Sequence, residues 1–420
     1  MAVATQASTC CRWCDAKPTW LRCCAVLNLD EDELNACVGC GLCLPHCPTF
    51  RVTGEEALSP RGRIDAMRGV QLRDSPVDAE FVHFMATCVQ CRGCEPACPS
   101  GVPYGRLIEG TRSELAATGK LTPWWQRFGF SILPRHRLLL AGSTGLALAQ
   151  RVRLVPKRLG LGRIPVRRGR AVAATAPAVS ADAWLFTGCV MDAWMRDTHR
   201  STAKVLTALG VQYAVPGVGG GCCGALHVHA GLHRQAGVLA DRVMSSMPGD
   251  APILVNSAGC GAALKEYGHL LGTASAAAFS ARVFDIHEWL APRRGGLANL
   301  SPFGGAVIVQ DPCHLRHVQR AHLPVRTVIS AVAEVVELDD DGLCCGAGGA
   351  YSAREPELAT SIRDRKLEAI ARAIDRAAGT SRITTLVSAN PGCSMHLQQA
   401  LAGRGLAVRH PIDLLAEALP

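Results

Sequence analysis

The sequence predicts a multidomain chain of mixed class, α+β followed by α/β, in which a helical N-terminal part leads into one α/β unit present twice. Three observations predict it. The chain has 420 residues, 48% apolar and 19% charged. That is length for about three domains, and the composition excludes a disordered or collagen-like chain. Its 21 Cys are too few, in too long a chain, for a small disulfide scaffold. They are also not scattered: 16 of them obey two spacing patterns, each of which occurs twice.

Residues 1–29 hold the five Cys outside those patterns, Cys10, Cys11, Cys14, Cys23 and Cys24. This stretch is expected to be a poorly ordered extension. It lacks the basic start and apolar core of a secretory leader. Without export, thiols stay reduced, and clustered Cys then read as metal ligands or redox groups. Cytoplasm is the expected compartment.

Residues 30–120 carry the first pattern. Cys37-Val-Gly-Cys40-Gly-Leu-Cys43-Leu-Pro-His-Cys47-Pro48 has the spacing C-x2-C-x2-C-x3-C-P, and Cys88-Val-Gln-Cys91-Arg-Gly-Cys94-Glu-Pro-Ala-Cys98-Pro99 repeats it. Three thiolates two residues apart wrap a tight loop around one [4Fe–4S] cubane, each on its own iron. Pro then carries the fourth Cys away from the loop. In two-cluster ferredoxins that fourth Cys ligates the other cluster. The expected ligand sets are therefore Cys37, Cys40, Cys43 with Cys98, and Cys88, Cys91, Cys94 with Cys47. A zinc site would instead show two separated C-x2-C halves. This part is thus expected to be a helical two-cluster ferredoxin-like domain, with a helix running to about Leu72 between the motifs. Arg61 and Arg63 at its start have two readings: a solvated helix start, or positive charge that docks a partner or raises a cluster's potential. His46 and His83 are expected to be surface residues.

From 121 to 181 the pattern loosens into an expected linker. Trp124, Trp125, Phe128 and Phe130 precede Arg151, Arg153, Lys157, Arg158, Arg163, Arg167, Arg168 and Arg170, with no acid among them. An Ala/Pro-rich stretch follows. The formal charge of the chain is +9, yet no aromatic residue interleaves with the Arg run, so nucleic acid is not expected as a partner. A solvated linker, an anionic membrane surface or an acidic partner fits better. The longest apolar run, 138–149, is interrupted by Gly142, Ser143 and Gly145 and is shorter than the roughly 20 residues of a membrane span.

Residues 182–300 and 301–420 are expected to form a tandem duplicated α/β Cys-Cys-Gly unit. The first shows strands at 183–190, 211–215 and 253–256, with helices at 192–209 and from Gly224 to about 247. The second shows strands at 306–310, 335–338 and 384–388, with helices at 325–333 and 357–377. Cys189, Cys222, Cys223 and Cys260 recur about 124 residues later as Cys313, Cys344, Cys345 and Cys393, the signature of an internal repeat. In each copy the Cys fall just after a strand or in a Gly-rich turn, where open α/β sheets place ligands. Four thiolates per copy suffice for one iron–sulfur cluster. A vicinal disulfide, buried thiols or one degenerate copy are the alternatives. Gly217-Val-Gly and Gly346-Ala-Gly begin a dinucleotide loop, but Cys222 and Tyr351 stand where the last Gly belongs. No NAD or FAD site is expected on this chain.

Together with Ser59-Pro-Arg-Gly-Arg-Ile, Lys265-Glu-Tyr-Gly and Ala389-Asn-Pro-Gly-Cys393-Ser-Met-His-Leu, these motifs resemble the iron–sulfur subunit of bacterial glycolate oxidase over about residues 30–420. The Cys-Cys-Gly unit alone is shared with heterodisulfide reductases and anaerobic glycerol-3-phosphate dehydrogenase subunits. The resemblance implies a membrane-associated complex with FAD-binding partner subunits. The flavin would oxidise glycolate, with D-lactate as a second candidate, and this chain would pass electrons toward a quinone. Two [4Fe–4S] clusters are expected, with one or two further iron–sulfur clusters as candidates in the Cys-Cys-Gly units. Two features depart from the pattern. The C-x2-C that ends the heterodisulfide reductase unit is absent from both copies, so the fifth Cys is missing, with His396 as a candidate substitute. The Cys of 1–29 have no counterpart.

Overall fold

The computed structural model describes residues 27–155, 164–166, 169–217, 220–379 and 381–420. The five N-terminal Cys and the basic residues Lys157, Arg158, Arg163, Arg167 and Arg168 lie outside the described residues. Helices α1 (Glu31–Asn35), α2 (Pro48–Thr53), α3 (Pro60–Leu72), α4 (Ala79–Ala86) and α5 (Tyr104–Ala117) enclose the two Cys loops. Local chemistry starts each of them. Asp30 accepts the Glu33 N–H, Ser59 the Gly62 N–H and Asp78 the Phe81 N–H, satisfying donors that a first helical turn leaves free. Pro48 and Pro60 sit in first turns, where a missing N–H costs nothing. Ile64, Met67 and Val70 recur every third residue of α3 and pack with Phe81, Met85, Leu107, Ile108 and Leu115 as one core. Each such burial stabilises by roughly 1.5–3 kcal/mol.

The segment read as a loosened linker contains two helices, α6 (Trp124–Ile132) and α7 (His136–Arg151). Pro134 and the glycines of α7 obscure their period in the sequence. Leu139, Ser143 and Ala147, four residues apart, form the buried stripe of α7. Trp194 donates its indole N–H to Ser143 Oγ at 2.9 Å.

Two four-stranded parallel sheets follow. The first has the order β2–β1–β3–β4, from β1 (Ala183–Phe186), β2 (Tyr213–Ala214), β3 (Ile253–Val255) and β4 (Val283–Asp285). The second repeats it as β6–β5–β7–β8, from β5 (Ala306–Val309), β6 (Glu334–Glu337), β7 (Ile383–Val387) and β8 (Ala407–Arg409). β1, β3 and β5 are buried along their whole length, as a parallel sheet covered on both faces requires.

The helices between the strands refine the sequence reading. The helix expected at 192–209 breaks at Met195 into α8 (Val190–Trp194) and α9 (Arg196–Ala208). Arg196 turns back there onto the Asp192 carbonyl and carboxylate. The helix expected after Gly224 breaks into α10 (Ala225–His229) and α11 (His233–Ser246). Gly231, at φ +73°, makes that break; a Cβ on it would stand 2.1 Å from the Arg112 carbonyl oxygen. The loop therefore needs Gly both for its backbone and for its close approach to α5. α12 (Ala258–Lys265), α13 (Tyr267–Leu271), α14 (Ala274–Ala281) and α15 (Ile286–Leu290) complete the first unit, an unforeseen group of short helices around β4. The second unit adds α16 (Leu323–Ile329), α17 (Tyr351–Arg354), α18 (Pro356–Ala377), α19 (Pro391–Leu401) and α20 (Pro411–Ala418).

The units meet through their equivalent loops. Ala258 N–H donates to the Ala389 carbonyl at 3.0 Å, and Gly259 N–H to Asn390 Oδ1 at 3.1 Å. The helical domain is tied to the first unit by Gln90 Nε2 and Arg112 Nη1, which both donate to the His229 carbonyl, at 3.0 and 2.9 Å.

Candidate metal centre

The two ferredoxin-type loops share one backbone course. The third and fifth positions of each motif take positive φ: Gly39 and Gly41 in the first, Gln90 (58°) and Arg92 (59°) in the second. A non-Gly residue pays about 1 kcal/mol or more for that region. Here long side chains hold the course in place. Gln90 reaches the His229 carbonyl, and Arg92 pairs with Glu95 at 2.9 Å and with Glu266 of the first Cys-Cys-Gly unit.

The turns gather the thiols in two places. Cys37, Cys40, Cys43 and Cys98 line one cavity together with Cys94. Cys47, Cys88, Cys91 and Cys94 line a second. Each cavity thus contains all four Cys of one crossed set. Cys40 is exposed, whereas Cys47, Cys88, Cys91 and Cys94 are buried. Tyr104 Oη donates to Cys88 Sγ at 3.5 Å and the Gln90 N–H at 3.4 Å; Thr49 Oγ1 lies 3.2 Å from Cys47 Sγ.

Arg63 is 1% exposed, so its reading as part of a solvated helix start is corrected. It donates to the carbonyls of Phe84 and Leu58 and to the hydroxyls of Thr49 and Thr87. Burial works against its charge, but Tyr104, Cys88 and Cys47 hold its pKa above the ordinary value. A second buried cation, Arg112, donates to the carbonyls of Met85, Ala86 and Cys88. Burial, with Arg354 nearby, lowers its pKa to about 10, still cationic at neutral pH. Arg61 remains partly exposed on Gly39 O and Glu56. His83 is exposed and His46 partly so. Sequence reasoning missed Arg112 and Tyr104, which nothing in the motif spacing marks.

In both duplicated units the sheet order changes direction between the first and third strands. The carboxyl ends at such a switch form a crevice that open α/β folds use for ligands. Cys189 and Cys260 follow β1 and β3; Cys313 and Cys393 follow β5 and β7. The Cys-Cys-Gly turns bring Cys222, Cys223, Cys344 and Cys345 to the same ends. In the first unit Cys189 lies beside Cys222, and Cys223 beside Cys260. The neighbouring Cys189, aided by His227, takes the Cys222 pKa down to about 5 against the effect of burial. In the second unit Cys313, Cys345 and Cys91 crowd Cys344, and its interaction with them holds it far below the usual thiol range; Cys345 also lies beside Cys393. The thiolate is the form that binds metal. The donor sets therefore fit iron–sulfur clusters, with all sixteen Cys of the described residues in these four groups.

The contact between Cys91 and Cys344 joins the second ferredoxin-type set to the second Cys-Cys-Gly set. Val89, Tyr351, Ala359 and Ile362 pack around it. His396 stands near Cys344, but its Nε2 faces the Ala359 carbonyl at 3.4 Å.

Fold and site together define an iron–sulfur protein with a dicluster domain ahead of a duplicated cysteine-rich domain. Residues 33–102 match the family model of a 4Fe-4S dicluster domain, and residues 183–265 and 307–398 match that of a cysteine-rich domain. A Bacillus subtilis protein described as "Probable glycolate oxidase iron-sulfur subunit" is 32% identical over 93% of this chain and 95% of its own. The Escherichia coli glycolate oxidase iron-sulfur subunit is 31% identical over 93% and 96%. The chain belongs to this family of glycolate oxidase iron–sulfur subunits. It is also similar to one component of the dihydromethanophenazine:CoB–CoM heterodisulfide reductase of Methanosarcina barkeri, at 27% identity over 92% of this chain and 94% of that one.

Proposed function

We propose that the chain is the electron-transfer subunit of a complex that oxidises glycolate or a related 2-hydroxyacid on a flavoprotein partner and delivers the electrons to a quinone. The observation that carries this reading is the contact between Cys91 and Cys344. It makes two of the four thiol groups adjoin, as a relay needs and a set of separate structural metal sites does not. We assign Cys37, Cys40, Cys43 and Cys98 to one [4Fe–4S] cluster and Cys88, Cys91, Cys94 and Cys47 to the other. Cys189, Cys222, Cys223 and Cys260, and Cys313, Cys344, Cys345 and Cys393, are assigned to further iron–sulfur centres. Such centres, when bound, take up and release single electrons. The chain's own residues fix the sulfurs, donate hydrogen bonds to them and, through Arg63 and Arg112, place buried positive charge beside the Cys88 set. The hydroxyacid chemistry belongs to the partner.

The α6–α7 hairpin supports peripheral membrane contact. Trp124 is 78% and Phe128 64% exposed, and Trp125, Leu138, Leu148, Val152 and Leu154 are exposed with them. Arg127, Arg135, Arg137, Arg151 and Arg153 lie among these residues and no acid does. Among the described residues no helix is long and apolar enough to cross a membrane. Aromatic residues with cations suit the interface of an anionic leaflet.

A second reading, disulfide reduction, draws on the same contact. Under that reading Cys91 would supply the second Cys-Cys-Gly unit with the fifth sulfur that its own sequence lacks, in place of its role in the Cys88 set. Anaerobic Cys40→Ser and Cys91→Ser variants separate the two. Under the main reading each variant loses the low-temperature magnetic signal of one cubane, about four iron per chain, and its glycolate-to-quinone turnover collapses. Full iron and full turnover in Cys40→Ser would defeat the ligand assignment. Loss of only the Cys-Cys-Gly signal in Cys91→Ser would favour the second reading.

A further inference from the structure

One cavity, of about 240 Å³, lies where all three parts of the chain meet and belongs to none of the thiol groups alone. Its floor has Cys223 and Tyr267 from the first unit and His314 from the second; Glu109 of α5 and His229 of α10 form its sides. Tyr267 Oη donates to the Cys223 carbonyl at 2.9 Å and fixes that floor. Val228, Ala262, Ala263 and Leu270 make the remaining wall apolar. Arg106 and His269, both exposed, stand at the rim.

Three polar groups here stand without a hydrogen-bond partner. The Nε2 of His233 is buried with no hydrogen bond. Among the described residues neither the Glu109 carboxyl nor the His229 ring has a hydrogen-bond partner either, the ring's contact being His314 at 5.3 Å between centroids. Unsatisfied groups around a cavity point to a ligand that satisfies them. Both arginines of the lining are already engaged, Arg92 by Glu95 and Glu266 and Arg106 by Glu33. That leaves no free cation among the lining residues for a carboxylate. A neutral molecule with two carbonyl oxygens and a flat apolar body matches what remains.

We propose that this cavity binds the head group of a quinone, with Glu109 and His229 as hydrogen-bond donors to its oxygens and Glu109 as proton donor in its reduction. The proposal rests on the electron-transfer reading above. The volume accommodates a substituted ring and leaves an isoprenoid tail to exit over the rim. Two electrons, handed by the flavoprotein partner to the iron–sulfur centres, and two protons convert the quinone to its hydroquinone. Both C=O bonds become C–O–H. Glu109 delivers one proton and regains it from solvent past Arg106 and His269, and the second enters by the same rim. Glu109 suits that task. Burial and the neighbouring Glu266 and Glu95 raise its pKa to about 8, against the opposing charges of Arg92 and Arg112. It therefore holds its proton at neutral pH and is able to release it.

The test uses the full chain, purified anaerobically, alone and with its flavoprotein partner. Calorimetric titration with a short-chain benzoquinone is expected to show one site per chain, weakened at least about tenfold in His229→Phe and little changed in Glu109→Gln, which keeps a donor. With glycolate, Glu109→Gln is expected to lower quinone reduction about tenfold relative to reduction of ferricyanide, which takes electrons without protons. Quinone reduction by the wild type should fall as pH rises through about 8, a step absent from Glu109→Gln. Binding unaffected by His229→Phe, or an unchanged quinone-to-ferricyanide ratio in Glu109→Gln, would overturn the cavity assignment. A wild-type complex that reduces neither acceptor would overturn the electron-transfer reading and the cavity with it.

Discussion

Arg63 shows what one residue contributes at this site. A guanidinium at 1% exposure is tolerable only where its donors and its charge are both met. Two carbonyls and two hydroxyls meet the donors; the Tyr104 hydroxyl and the Cys88 and Cys47 sulfurs supply the favourable potential. Conversely, a cluster held by those sulfurs would be favoured by Arg63 in its reduced, more negative state and would have a higher potential. Two substitutions separate its roles. Arg63→Met takes a charged donor from the Leu58 and Phe84 carbonyls, which keep the Thr49 and Thr87 hydroxyls, and is expected to cost about 1.5–3 kcal/mol of stability, with a lower potential at a cluster held by the Cys88 set. Arg63→Lys keeps the charge but not the fork of donors. It should lose part of the stability while retaining most of the potential. Thermal melting together with a redox titration followed by magnetic resonance reads both. An unchanged potential in Arg63→Met would remove its electrostatic role.

At the scale of elements, the α6–α7 hairpin carries the clearest expectation. Burying Trp124, Trp125 and Phe128 in a membrane interface removes apolar surface from water at roughly 25 cal/mol per Å². The interspersed arginines add attraction to anionic lipid, near 1 kcal/mol for each one close to the surface. Replacing both Trp124 and Trp125 with Ser should weaken sedimentation with anionic vesicles at least about tenfold and leave the thiol sites intact, since neither tryptophan is buried. Binding that is equally tight to neutral vesicles, or insensitive to the double substitution, would contradict the assignment. This hairpin also marks where the sequence stopped being legible. Ligand spacing is local, so the four thiol groups and the strands that end at them could be read from single motifs. Cys189 and Cys260 follow β1 and β3 as the pattern implied. A helix such as α7, which buries only Leu139, Ser143 and Ala147 and carries Gly142 and Gly145, has too narrow an apolar stripe to stand out. Arg63 was obscure for the same reason in reverse: a basic residue in a first turn reads as solvated, and its burial is decided by α4, α2 and the turn before α3.

For the whole molecule, the decisive contacts join parts far apart in sequence, and no motif reports them. The Cys91–Cys344 contact, the Arg92–Glu266 pair and the two bonds to the His229 carbonyl hold the helical domain against both duplicated units. Any relay through the chain depends on that docking more than on any one loop. Gly231 is the place to test it. Its φ is positive, and a side-chain methyl there would meet the Arg112 carbonyl oxygen at 2.1 Å. Gly231→Ala must therefore push the α10–α11 turn away from α5. The thiols themselves are untouched, so iron and labile sulfide per chain should stay at the wild-type value. The bonds from Gln90 and Arg112 to His229 lengthen, however, and the Cys88 set separates from the Cys-Cys-Gly sets. The strain costs about 1–3 kcal/mol. Two readouts should change together: faster proteolytic cutting between residues 121 and 181, and slower electron delivery to the quinone with the first reduction by the flavoprotein unaffected. A Gly231→Ala chain with normal metal content and normal quinone turnover would show that the three parts do not need this interface to work as one conductor.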